Sequence, residues 1–550
     1  MKTNRWIIAG IVVSIILVVV TYLFATSLMD SLYAYRSPFA SQPPQAGKPI
    51  GKPLSRRVVS ILVDGLRVDT AANKQVMPFL NSLREKGASA VTHSGVPSYS
   101  APSWSVLAIG AWPDLSDGPA MNPTEPKDYI TWTQDNIFTA VHNAGLHTAV
   151  AANQNFQHLV QPSSLDAYAW TVEETSAADQ QNINSALAFI QSGKYDYIFT
   201  YAVQVDDAGH NEGGPQDQRW NEAAARADHL IEQIVNSLDL RLDTVLIYSD
   251  HGQIPAGGHG GQDPVVLIQP FIMAGANVKP GVYADIHQVD IAATTAVLLG
   301  ANIPAVSQGH PQIDMLDLSD SQLADVRQAV TNQQSGLYQA YAQWLGVPAA
   351  QISLTQDQDP VTIYQAALLE LKNNRLNRER LPRFSLIILI VLLPLYFFYR
   401  HRGRSLALIF GAVVIYLAGF HSQYALMHGG TYTLSTVLSA SNLISTTALY
   451  TGLAFLAAWL VVFFGLRLYS LPALQAAGLH MFFSFTLFYV ISLPVLWSLA
   501  YNGALVGWTL PDVASMFFGF IFTLQLLVSA SVSLLLLVVT LLVTRLVRKA

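Results

Sequence analysis

The stretch RVVSILVDGLR, residues 57–67, decides the fold, because it is an apolar, β-branched strand pattern that ends at an acidic side chain, Asp64. Two later stretches repeat this pattern: YDYIFTYAVQVDDAGH (195–210), which contains Asp206 and His210, and TVLIYSDHG (244–252), which contains Asp250 and His251. In an open α/β sheet, ligands bind in the crevice at the carboxyl ends of the parallel strands. These stretches therefore predict that their carboxylates and imidazoles meet at one edge of a sheet.

A glycine-rich stretch, PAGGHGG (255–261), adds His259 to this set. Carboxylates mixed with imidazoles suit a transition metal, most simply Zn²⁺, whereas Ca²⁺ or Mg²⁺ takes oxygen ligands. Six candidate ligands are too many for one tetrahedral zinc ion but fit two. Paired metals about 3.5–4 Å apart stabilise the attacking and leaving oxygens of an in-line displacement at phosphorus. The pattern thus predicts a two-metal centre for phosphoryl chemistry.

The segment VPSYSAPSWSVLAIG (96–110) supplies a candidate nucleophile, Ser100. Pro102 suits the first position of a helix, which would put Ser100 just before the helix N-terminus. Backbone amides and the helix dipole favour phosphate oxygens there. A serine hydroxyl is a weak nucleophile at neutral pH, and metal coordination can activate it. Ser98 is the adjacent alternative.

Composition separates a soluble domain from membrane segments. Of the 550 residues, 51% are hydrophobic and only 12% are charged, about half the ~25% that is typical of soluble proteins. Residues 405–466 contain no Lys, Arg, Asp or Glu, and residues 468–544 contain only Asp512. The net charge of -6 gives no reason to expect nucleic acid as a partner. The absence of cysteine excludes disulfides, thiolate ligands and a cysteine nucleophile.

Six apolar stretches are long enough to span a bilayer. They are residues 6–25, 384–399, 405–427, 446–466, 478–500 and 514–544. A cleaved signal peptide is the alternative for the first stretch, but its length and the lack of a small-residue cleavage site favour a retained anchor. The absence of charges within the spans argues against ion or proton transport.

The positive-inside rule orients these spans. The flanking basic residues that fall on one side are Lys2, Arg5, Arg400, Arg402, Arg404, Arg467, Arg545, Arg548 and Lys549. We therefore expect a multi-pass membrane protein with both termini in the cytoplasm and an extracytoplasmic soluble domain. Four arginines outside the second span conflict with the rule and would either bind lipid phosphates or form a solvated helix face: Arg375, Arg378, Arg380 and Arg383. The absence of an Asn-x-Ser/Thr glycosylation site favours a bacterial cytoplasmic membrane.

Residues 56–315 alternate short apolar strands with helical patterns, which predicts a mostly parallel sheet covered by helices. The predicted strands are 57–63, 88–92, 147–152, 195–204, 243–249 and 270–273, and the predicted helices are 76–87, 102–110, 135–144, 219–238 and 288–299. The predicted domains are a transmembrane anchor (1–30), a linker (31–55), an extracytoplasmic catalytic domain (56–318), a helical connector (319–383) and a five-helix transmembrane domain (384–550).

Taken in order, LVDGLR, the Ser-x-Pro turn, D-x-x-G-H, S-D-H-G and G-G-H-G resemble the motifs of the alkaline phosphatase superfamily. Within it, the chain resembles the type I phosphodiesterases/nucleotide pyrophosphatases and the GPI ethanolamine phosphate transferases. VPSYSAP is similar to the nucleophile segment of the transferases, and one anchor, a catalytic domain and a multi-span region match their layout. The resemblance implies an alkaline-phosphatase-like fold.

The resemblance also implies residue roles. One zinc ion would be held by Asp64, Ser100, Asp250 and His251, with Ser100 as the residue that becomes phosphorylated, and the other by Asp206, His210 and His259. Mn²⁺ or another divalent ion is an alternative. Ser103 stands where the phosphodiesterases have asparagine, which leaves its role in phosphate binding open. The phosphodiesterase nucleophile is commonly Thr, and the membrane region is shorter than in the eukaryotic transferases.

The leading hypothesis is a phosphodiesterase or phosphotransferase that moves or hydrolyses a phosphoethanolamine-type headgroup on a membrane lipid or lipid-linked glycan. The runner-up is an extracytoplasmic nucleotide pyrophosphatase/phosphodiesterase. A receptor or transporter with a degenerate phosphatase domain is disfavoured by the intact ligand set. SAPSW approaches the sulfatase pattern, but Trp104 stands where that pattern has arginine. Specificity is expected in loops 112–134 and 153–180, and the oligomeric state is left open.

Overall fold

The computed structural model describes residues 2–429 and 431–548. The chain divides into two compact units. One comprises Tyr33–Asn374 and Trp508–Leu510, and the other comprises Met1–Leu32, Arg375–Gly507 and Pro511–Ala550. We call them the catalytic unit and the membrane unit. The first helix of the chain is α1 (Lys2–Tyr33).

The catalytic unit is built on one sheet, which has nine strands among the described residues. The strands are β1 (Arg57–Val63), β2 (Ala88–His93), β3 (Thr148–Asn153), β4 (Ala167–Thr171), β5 (Tyr197–Ala202), β6 (Asp243–Tyr248), β7 (Ile268–Gly275), β8 (Gly281–Val282) and β9 (Ile286–His287). Their order is β4-β3-β5-β1-β6-β7-β2-β8, and β9 also pairs with β2. The first five strands in this order are mutually parallel, whereas β7 is antiparallel to both β6 and β2.

Strand β1 lies inside the sheet, between β5 and β6, and all seven of its residues are buried. Side chains alternate between the faces of a strand. Val58 and Leu62 accordingly pack into one hydrophobic core, and Val59, Ile61 and Val63 pack into a second core on the other face. A strand that is apolar on both faces is typical of a parallel sheet with helices on each side.

Helices cover both faces of this sheet. The helices of the catalytic unit are α2 (Val68–Ala71), α3 (Pro78–Arg84), α4 (Ser100–Ile109), α5 (Pro113–Ser116), α6 (Ile137–Asn143), α7 (Asn155–Leu159), α8 (Ser176–Ser192), α9 (Gln204–Asn211), α10 (Gln218–Asn236), α11 (Asp290–Leu298) and α12 (Asp320–Trp344). Side chains of α4, α6 and α11 pack into the first core, and those of α3, α8 and α10 pack into the second. The catalytic unit therefore has three layers.

The sequence-based strands are all present, but three local assignments need correction. Strands β4, β8 and β9 were not predicted, because β4 is a partly exposed edge strand without an apolar run and the other two have only two residues each. The predicted strand 195–204 ends at Ala202, and the chain enters α9 two residues later, so that Asp206 lies in a helix rather than at a strand end. Helix α4 begins at Ser100 instead of Pro102. Proline is tolerated inside the first turn because the amides there have no intrahelical partner.

The membrane unit consists of long apolar helices. Besides α1, they are α13 (Pro360–Arg400), whose residues up to Asn374 belong to the catalytic unit, α14 (Arg404–His428), α15 (Ala440–Gly465), α16 (Ala473–Asn502) and α17 (Val513–Val547). Six helices in the described part of the chain are long and apolar enough to cross a membrane, one near the N-terminus and five in the C-terminal region. The predicted fold class, a mostly parallel sheet covered by helices together with six transmembrane helices, is confirmed.

Several polar side chains of the membrane unit have partners within the protein. His480 is buried, and its Nδ1 accepts a hydrogen bond from Trp459 Nε1 (3.1 Å) while its Nε2 donates to the carbonyl of Ser533 (3.0 Å). Among the four arginines near the second span, Arg375 and Arg383 contact Glu379 at 3.2 and 3.0 Å. These contacts give His480 and two of the four arginines partners within the protein, and whether the arginines also bind lipid phosphates stays open.

Candidate metal and nucleophile site

Three neighbouring strands bring the predicted acidic residues together. Asp64 directly follows β1, Asp250 follows β6 after one residue, and Asp206 lies in the first turn of α9, which follows β5. The register aligns these strands, since Val63 pairs with Ala202 and Leu62 pairs with Tyr248. The carboxyl ends of the parallel strands therefore form the edge at which the site lies.

The first group of candidate ligands surrounds the imidazole of His251. Its Nε2 lies 3.3 Å from Asp64 Oδ1, 3.6 Å from Asp250 Oδ2 and 3.1 Å from the hydroxyl of Ser100. All four side chains are buried. The structure thus brings together the four residues that the resemblance assigns to one zinc ion.

The second group lies beside the first. His210 Nε2 and His259 Nε2 face each other at 2.9 Å, and Asp206 carboxylate oxygens lie 3.5 and 3.6 Å from them, respectively. The ring of His259 stacks on that of His251 with 3.7 Å between centroids. The neighbouring Asp207 is engaged elsewhere, because it accepts a hydrogen bond from Asn211. The structure therefore places Asp206, and not Asp207, in the cluster.

Backbone carbonyls orient the two buried imidazoles. His251 Nδ1 donates to the carbonyl of Gly252 (3.1 Å), and His259 Nδ1 donates to that of Ser98 (3.1 Å). With the proton held at Nδ1, the neutral ring presents the lone pair of Nε2 to the cluster. Such second contacts fix the tautomer and orientation of metal-binding histidines.

Neighbouring donors hold the carboxylates in place. Tyr201 donates its phenol proton to Asp64 Oδ2 (2.5 Å), the indole of Trp104 donates to Asp250 Oδ2 (2.9 Å), and the amide of Gln253 donates to Asp206 Oδ1 (2.6 Å). The second oxygen of Asp250, Oδ1, accepts the backbone amides of Gly65 (3.1 Å) and His251 (3.0 Å). Asp64 Oδ1 is buried and has no hydrogen-bond partner.

The electrostatics of the cluster show the cost of burying these charges. Burial raises the pKa of Asp64 well above its usual range, and the charges of Asp250 and Asp206 raise it further. Burial acts on Asp206 in the same direction, but the imidazoles around that carboxylate outweigh it and lower its pKa. Burial and the adjacent His251 lower the pKa of His259 to about 3. His259 is therefore neutral at ordinary pH, as a metal ligand must be.

The residues present fit divalent metal ions. Ligand atoms of Asp64, Asp250 and His251 lie within 4.8 Å of one another, and so do those of Asp206, His251 and His259. A buried carboxylate oxygen without a partner is costly, and a cation is the ordinary way to compensate it. The mixed oxygen and nitrogen donors suit zinc. His251 belongs to both groups of atoms, so its assignment to one ion stays a prediction.

Ser100 lies in the first turn of α4 and is 7% exposed. The next amide, that of Ala101, donates to Oδ1 of Asn122 (2.9 Å). The structure does not bring Ser103 to the same place: this side chain is 2% exposed and is not among the described residues that line the cavity next to Ser100. No contact in the described structure therefore supports the predicted role of Ser103 in phosphate binding.

A cavity of about 370 Å³ opens beside the cluster, with Ser100, Asp64, Asp206, His210 and His259 in its lining. Its remaining walls come mainly from three segments: 122–126 with Tyr129, 153–155, and Val172 with Glu174. These segments belong to the two loops in which the sequence predicted specificity. The volume is in the range of small-molecule sites.

Sequence reasoning missed several residues of the site. Asn122 lines the cavity next to the nucleophile, and its oxygen is held by Ala101, which leaves its NH₂ group for a ligand. It lies in an irregular loop, and no periodicity marks it. Tyr201 and Gln253 are not in a motif either, although Gln253 follows the S-D-H-G stretch by one residue. Trp104 stands within the quoted nucleophile segment and was recognised only as a departure from the sulfatase pattern.

Comparison with known proteins agrees with these motifs. Residues 58–264 match the family described as "Type I phosphodiesterase / nucleotide pyrophosphatase". The chain is 25% identical over 278 residues to the human GPI ethanolamine phosphate transferase 2, catalytic subunit, which covers 47% of this chain and 28% of that protein. It is 24% identical over 341 residues to GPI ethanolamine phosphate transferase 1 of Gibberella zeae, which covers 49% of this chain and 33% of that protein.

The match thus spans about a third or less of the length of these relatives. Among solved structures, murine ectonucleotide pyrophosphatase / phosphodiesterase 5 is similar at a TM-score of 0.41 and 13% identity, covering 48% of this chain and 100% of that chain. The predicted resemblance to the alkaline phosphatase superfamily, in its phosphodiesterase and GPI ethanolamine phosphate transferase branches, is confirmed by the family match and the curated relatives.

Proposed function

We propose that this membrane protein is a metal-dependent phosphotransferase that moves a phosphoethanolamine-type headgroup from a lipid donor to a glycan or lipid acceptor, with Ser100 as the nucleophile. The observation that carries the proposal is the position of the Ser100 hydroxyl. It lies at the N-terminus of α4, 3.1 Å from His251 Nε2, and lines the cavity beside both groups of candidate ligands. The similarity to GPI ethanolamine phosphate transferases supports the headgroup.

Asp64, Ser100, Asp250 and His251 would hold one zinc ion, and Asp206, His210 and His259 the other. When bound, these ions would lower the pKa of the serine hydroxyl and stabilise charge on the attacking and leaving oxygens. The chain itself contributes orientation. The Nδ1–H bonds of His251 and His259 direct both Nε2 atoms to the cluster, and Trp104 and Gln253 hold two of the carboxylates.

In the first half-reaction, Ser100 Oγ forms a bond to phosphorus, and the bond between phosphorus and the oxygen of the donor alcohol breaks. The donor oxygen takes up the proton that Ser100 loses and leaves as an alcohol, and the headgroup remains on Ser100 as a phosphodiester. In the second half-reaction, the hydroxyl of the acceptor forms a bond to phosphorus, the bond to Ser100 Oγ breaks, and the serine recovers its proton. The NH₂ group of Asn122, whose oxygen is held by the Ala101 amide, would bind a non-bridging phosphate oxygen.

A hydrolase of nucleotides or other extracytoplasmic phosphodiesters is the second candidate, and the match to the type I phosphodiesterase / nucleotide pyrophosphatase family favours it. It shares the first half-reaction. Water replaces the acceptor hydroxyl in the second, so that the enzyme releases a phosphomonoester instead of a new diester.

We further propose that the protein lies in a bacterial cytoplasmic membrane with both termini in the cytoplasm and the catalytic unit outside. The support is the bias of Lys and Arg toward one side of the predicted spans, of which Lys549 lies outside the described residues. A donor lipid in the same bilayer would then be available to the enzyme without leaving the membrane. The oligomeric state stays open.

The first experiment is the hydrolysis of bis(p-nitrophenyl) phosphate by detergent-purified, zinc-loaded full-length protein, followed as p-nitrophenol release. We expect turnover that both a chelator and Ser100→Ala abolish. Transfer is then tested with a phosphatidylethanolamine donor and a hydroxyl acceptor, with the acceptor-linked product measured by mass spectrometry. Turnover that survives Ser100→Ala would contradict the proposed nucleophile, and release of only phosphoethanolamine in the presence of acceptors would favour the hydrolase.

A further inference from the structure

The cavity beside Ser100 has an acidic lining. Asp64, Asp206, Glu125 and Glu174 line it, and no lysine or arginine of the described chain does so. The two aspartates belong to the candidate metal cluster, whereas the two glutamates are exposed and lie on the loops that form the outer walls. Metal ions would compensate the aspartates, so the charge of the glutamates is left for another cation.

Within the described residues, Glu174 has no basic partner of this kind. No ion pair or hydrogen bond joins its carboxylate to a basic side chain in the described residues. Burial and the negative charges of Asp206 and Asp207 raise the pKa of Glu174, while the nearby His210 lowers it. Glu174 lines the same cavity as Ser100 and the candidate ligands, although it belongs to neither group of those ligands.

Tyr129 adds an aromatic ring to the same wall. Burial raises the pKa of its phenol, and the charges of Glu174 and Asp64 raise it further, as expected for a ring close to both carboxylates. Tyr129, Glu174 and the aspartates of the metal cluster all line this one cavity. A carboxylate beside an aromatic ring is a pairing that binds ammonium groups, through the charge and through the ring face.

We propose that Glu174 and Tyr129 bind the ammonium group of the substrate and select phosphodiesters with an ammonium-bearing arm over those with an uncharged or anionic arm. This inference rests on the proposed phosphodiester chemistry at Ser100 and deepens it. The phosphorus of the substrate would lie at Ser100, and its aminoalkyl arm would extend toward Glu174. A nucleotide would instead bring further negative charge to the acidic wall, where no Lys or Arg in the described lining could pair with it.

The test compares two p-nitrophenyl phosphodiesters of equal size on the zinc-loaded full-length protein in detergent. One carries a 2-aminoethyl group and the other an uncharged propyl group, and both are measured below pH 8 so that the amine stays charged. We expect the ratio of kcat/KM for the aminoethyl ester to that for the propyl ester to exceed about tenfold, the scale of a partly desolvated ammonium contact. Glu174→Gln should lower this ratio to near one.

Three further variants separate an effect on binding from an effect on folding. Glu173→Gln changes the adjacent exposed carboxylate, which does not line the cavity in the described structure, and should keep the wild-type ratio. Tyr129→Phe keeps the ring and should keep most of the ratio, whereas Tyr129→Leu should lose about half of it or more. These comparisons use ratios within one preparation, so a partly unfolded variant still reports its preference.

Equal rates of wild-type protein on the two diesters would overturn the inference and leave the proposed nucleophile intact. A ratio that Glu174→Gln leaves unchanged, or that Glu173→Gln lowers equally, would overturn it as well. No Ser100-dependent turnover of either diester would instead overturn the proposed function, and this inference would fall with it. A sensitivity of the wild-type ratio to salt that Glu174→Gln abolishes would support the ion pair independently.

Discussion

Ser100 Oγ and His251 Nε2 lie 3.1 Å apart, although 151 positions separate the two residues in the chain. The contact joins the first turn of α4 to the loop that follows β6. His251 is 0% exposed and is held from its other nitrogen by the carbonyl of Gly252. The hydroxyl therefore meets a rigid part of the candidate metal cluster, and its position is set by the sheet and by the start of a helix together.

This relationship predicts that Ser100→Ala lowers kcat/KM for phosphodiesters by about a thousandfold or more, the usual scale for the loss of a nucleophile. The variant should retain most of its zinc, because the carboxylate and imidazole ligands remain. The measurements are steady-state turnover and the zinc content of the dialysed protein. Loss of both activity and zinc would show that Ser100 acts mainly as a ligand.

Ser103→Ala tests the role that the sequence suggested for this neighbour. The side chain is 2% exposed and does not line the cavity in the described structure, so we expect kcat/KM to change by less than about threefold. The same assay is used, with thermal unfolding as the check on stability. A much larger rise in KM would restore Ser103 to the phosphate-binding site.

Trp104→Phe should weaken zinc binding by about tenfold or more, because the buried carboxylate of Asp250 loses the indole N–H that donates to it at 2.9 Å. Phenylalanine can keep the stacking contact with Phe156, whose ring lies 4.3 Å from that of Trp104. The matched control is Trp132→Phe, which removes an equally buried indole donor from Ser105. Chelator competition measures the affinity, and equal losses in both variants would contradict a specific role for Trp104.

Gly209→Ala should disturb the second group of ligands. A Cβ atom at this position would lie 1.9 Å from Gln253 Oε1. Gln253 would have to move, and its amide is the donor that holds Asp206 Oδ1 at 2.6 Å. We expect activity to fall by about tenfold or more, with recovery at raised zinc concentration.

The control for this substitution is Gly336→Ala, in the interior of α12, where nothing lies within 4 Å of the added Cβ. It should leave activity unchanged and stabilise the protein by about 0.5–1 kcal/mol, as alanine does in a helix interior. If the two variants behave alike in the activity assay, steric displacement of Gln253 is not the cause.

The sequence predicted the strands around the site well because they are buried on both faces. β1, β5 and β6 each appear as a continuous apolar run, and a polar residue that ends such a run must lie at the edge of the sheet. Asp64, Asp250 and His251 could therefore be chosen before the geometry was known. Ser100, Asp206, His210 and His259 were chosen from their motifs and from the family resemblance. Helix α9 was not predicted, because its eight residues, QVDDAGHN, begin only two residues after the end of β5. The apolar residues of β5 continue up to the helix, so the sequence does not mark the boundary between the strand and the helix.

The rest of the site could not be read from the chain, because it depends on tertiary contacts of irregular loops. Asn122 reaches the start of α4 from a loop, and the partners of Asp64 and Asp206, Tyr201 and Gln253, lie far from them in sequence. No periodicity or spacing rule identifies such pairs. The position of Glu174 in the cavity wall could not be predicted either, because most of the residues that line the cavity with it are distant from it in the chain.

The last prediction concerns the start of α13, outside the membrane-spanning region. His310 Nε2 lies 2.9 Å from Asp359 Oδ2, and Asp290 Oδ1 lies 4.0 Å from His310 Nδ1. The hydrogen bond to Asp359 raises the pKa of His310 above its ordinary 6.5, although burial opposes the shift. For Asp359, burial is outweighed by hydrogen bonds from His310 and Thr362, and its pKa is lowered.

The signs of the two shifts define a window. A raised histidine pKa gives stability that is fully present below pH 6.5 and is lost as the pH rises through the pKa of the folded state. A lowered aspartate pKa gives stability that is present above pH 3.8 and is lost as the pH falls through the pKa of the folded state. The pair therefore stabilises the protein most between these values and loses its effect above pH 6.5.

We expect the wild-type protein to unfold about 1–2 °C above His310→Gln at pH 6 and at the same temperature as that variant at pH 8.5. The effect is small because both side chains are partly exposed, which screens the pair. Thermal unfolding of the full-length protein in detergent measures it. His229→Gln, which removes an exposed contact with Glu232 at 3.3 Å within one helix, serves as the control and should show no such dependence on pH. A difference between wild type and His310→Gln that persists at pH 8.5 would mean that packing of the imidazole, and not its charge, stabilises this end of α13.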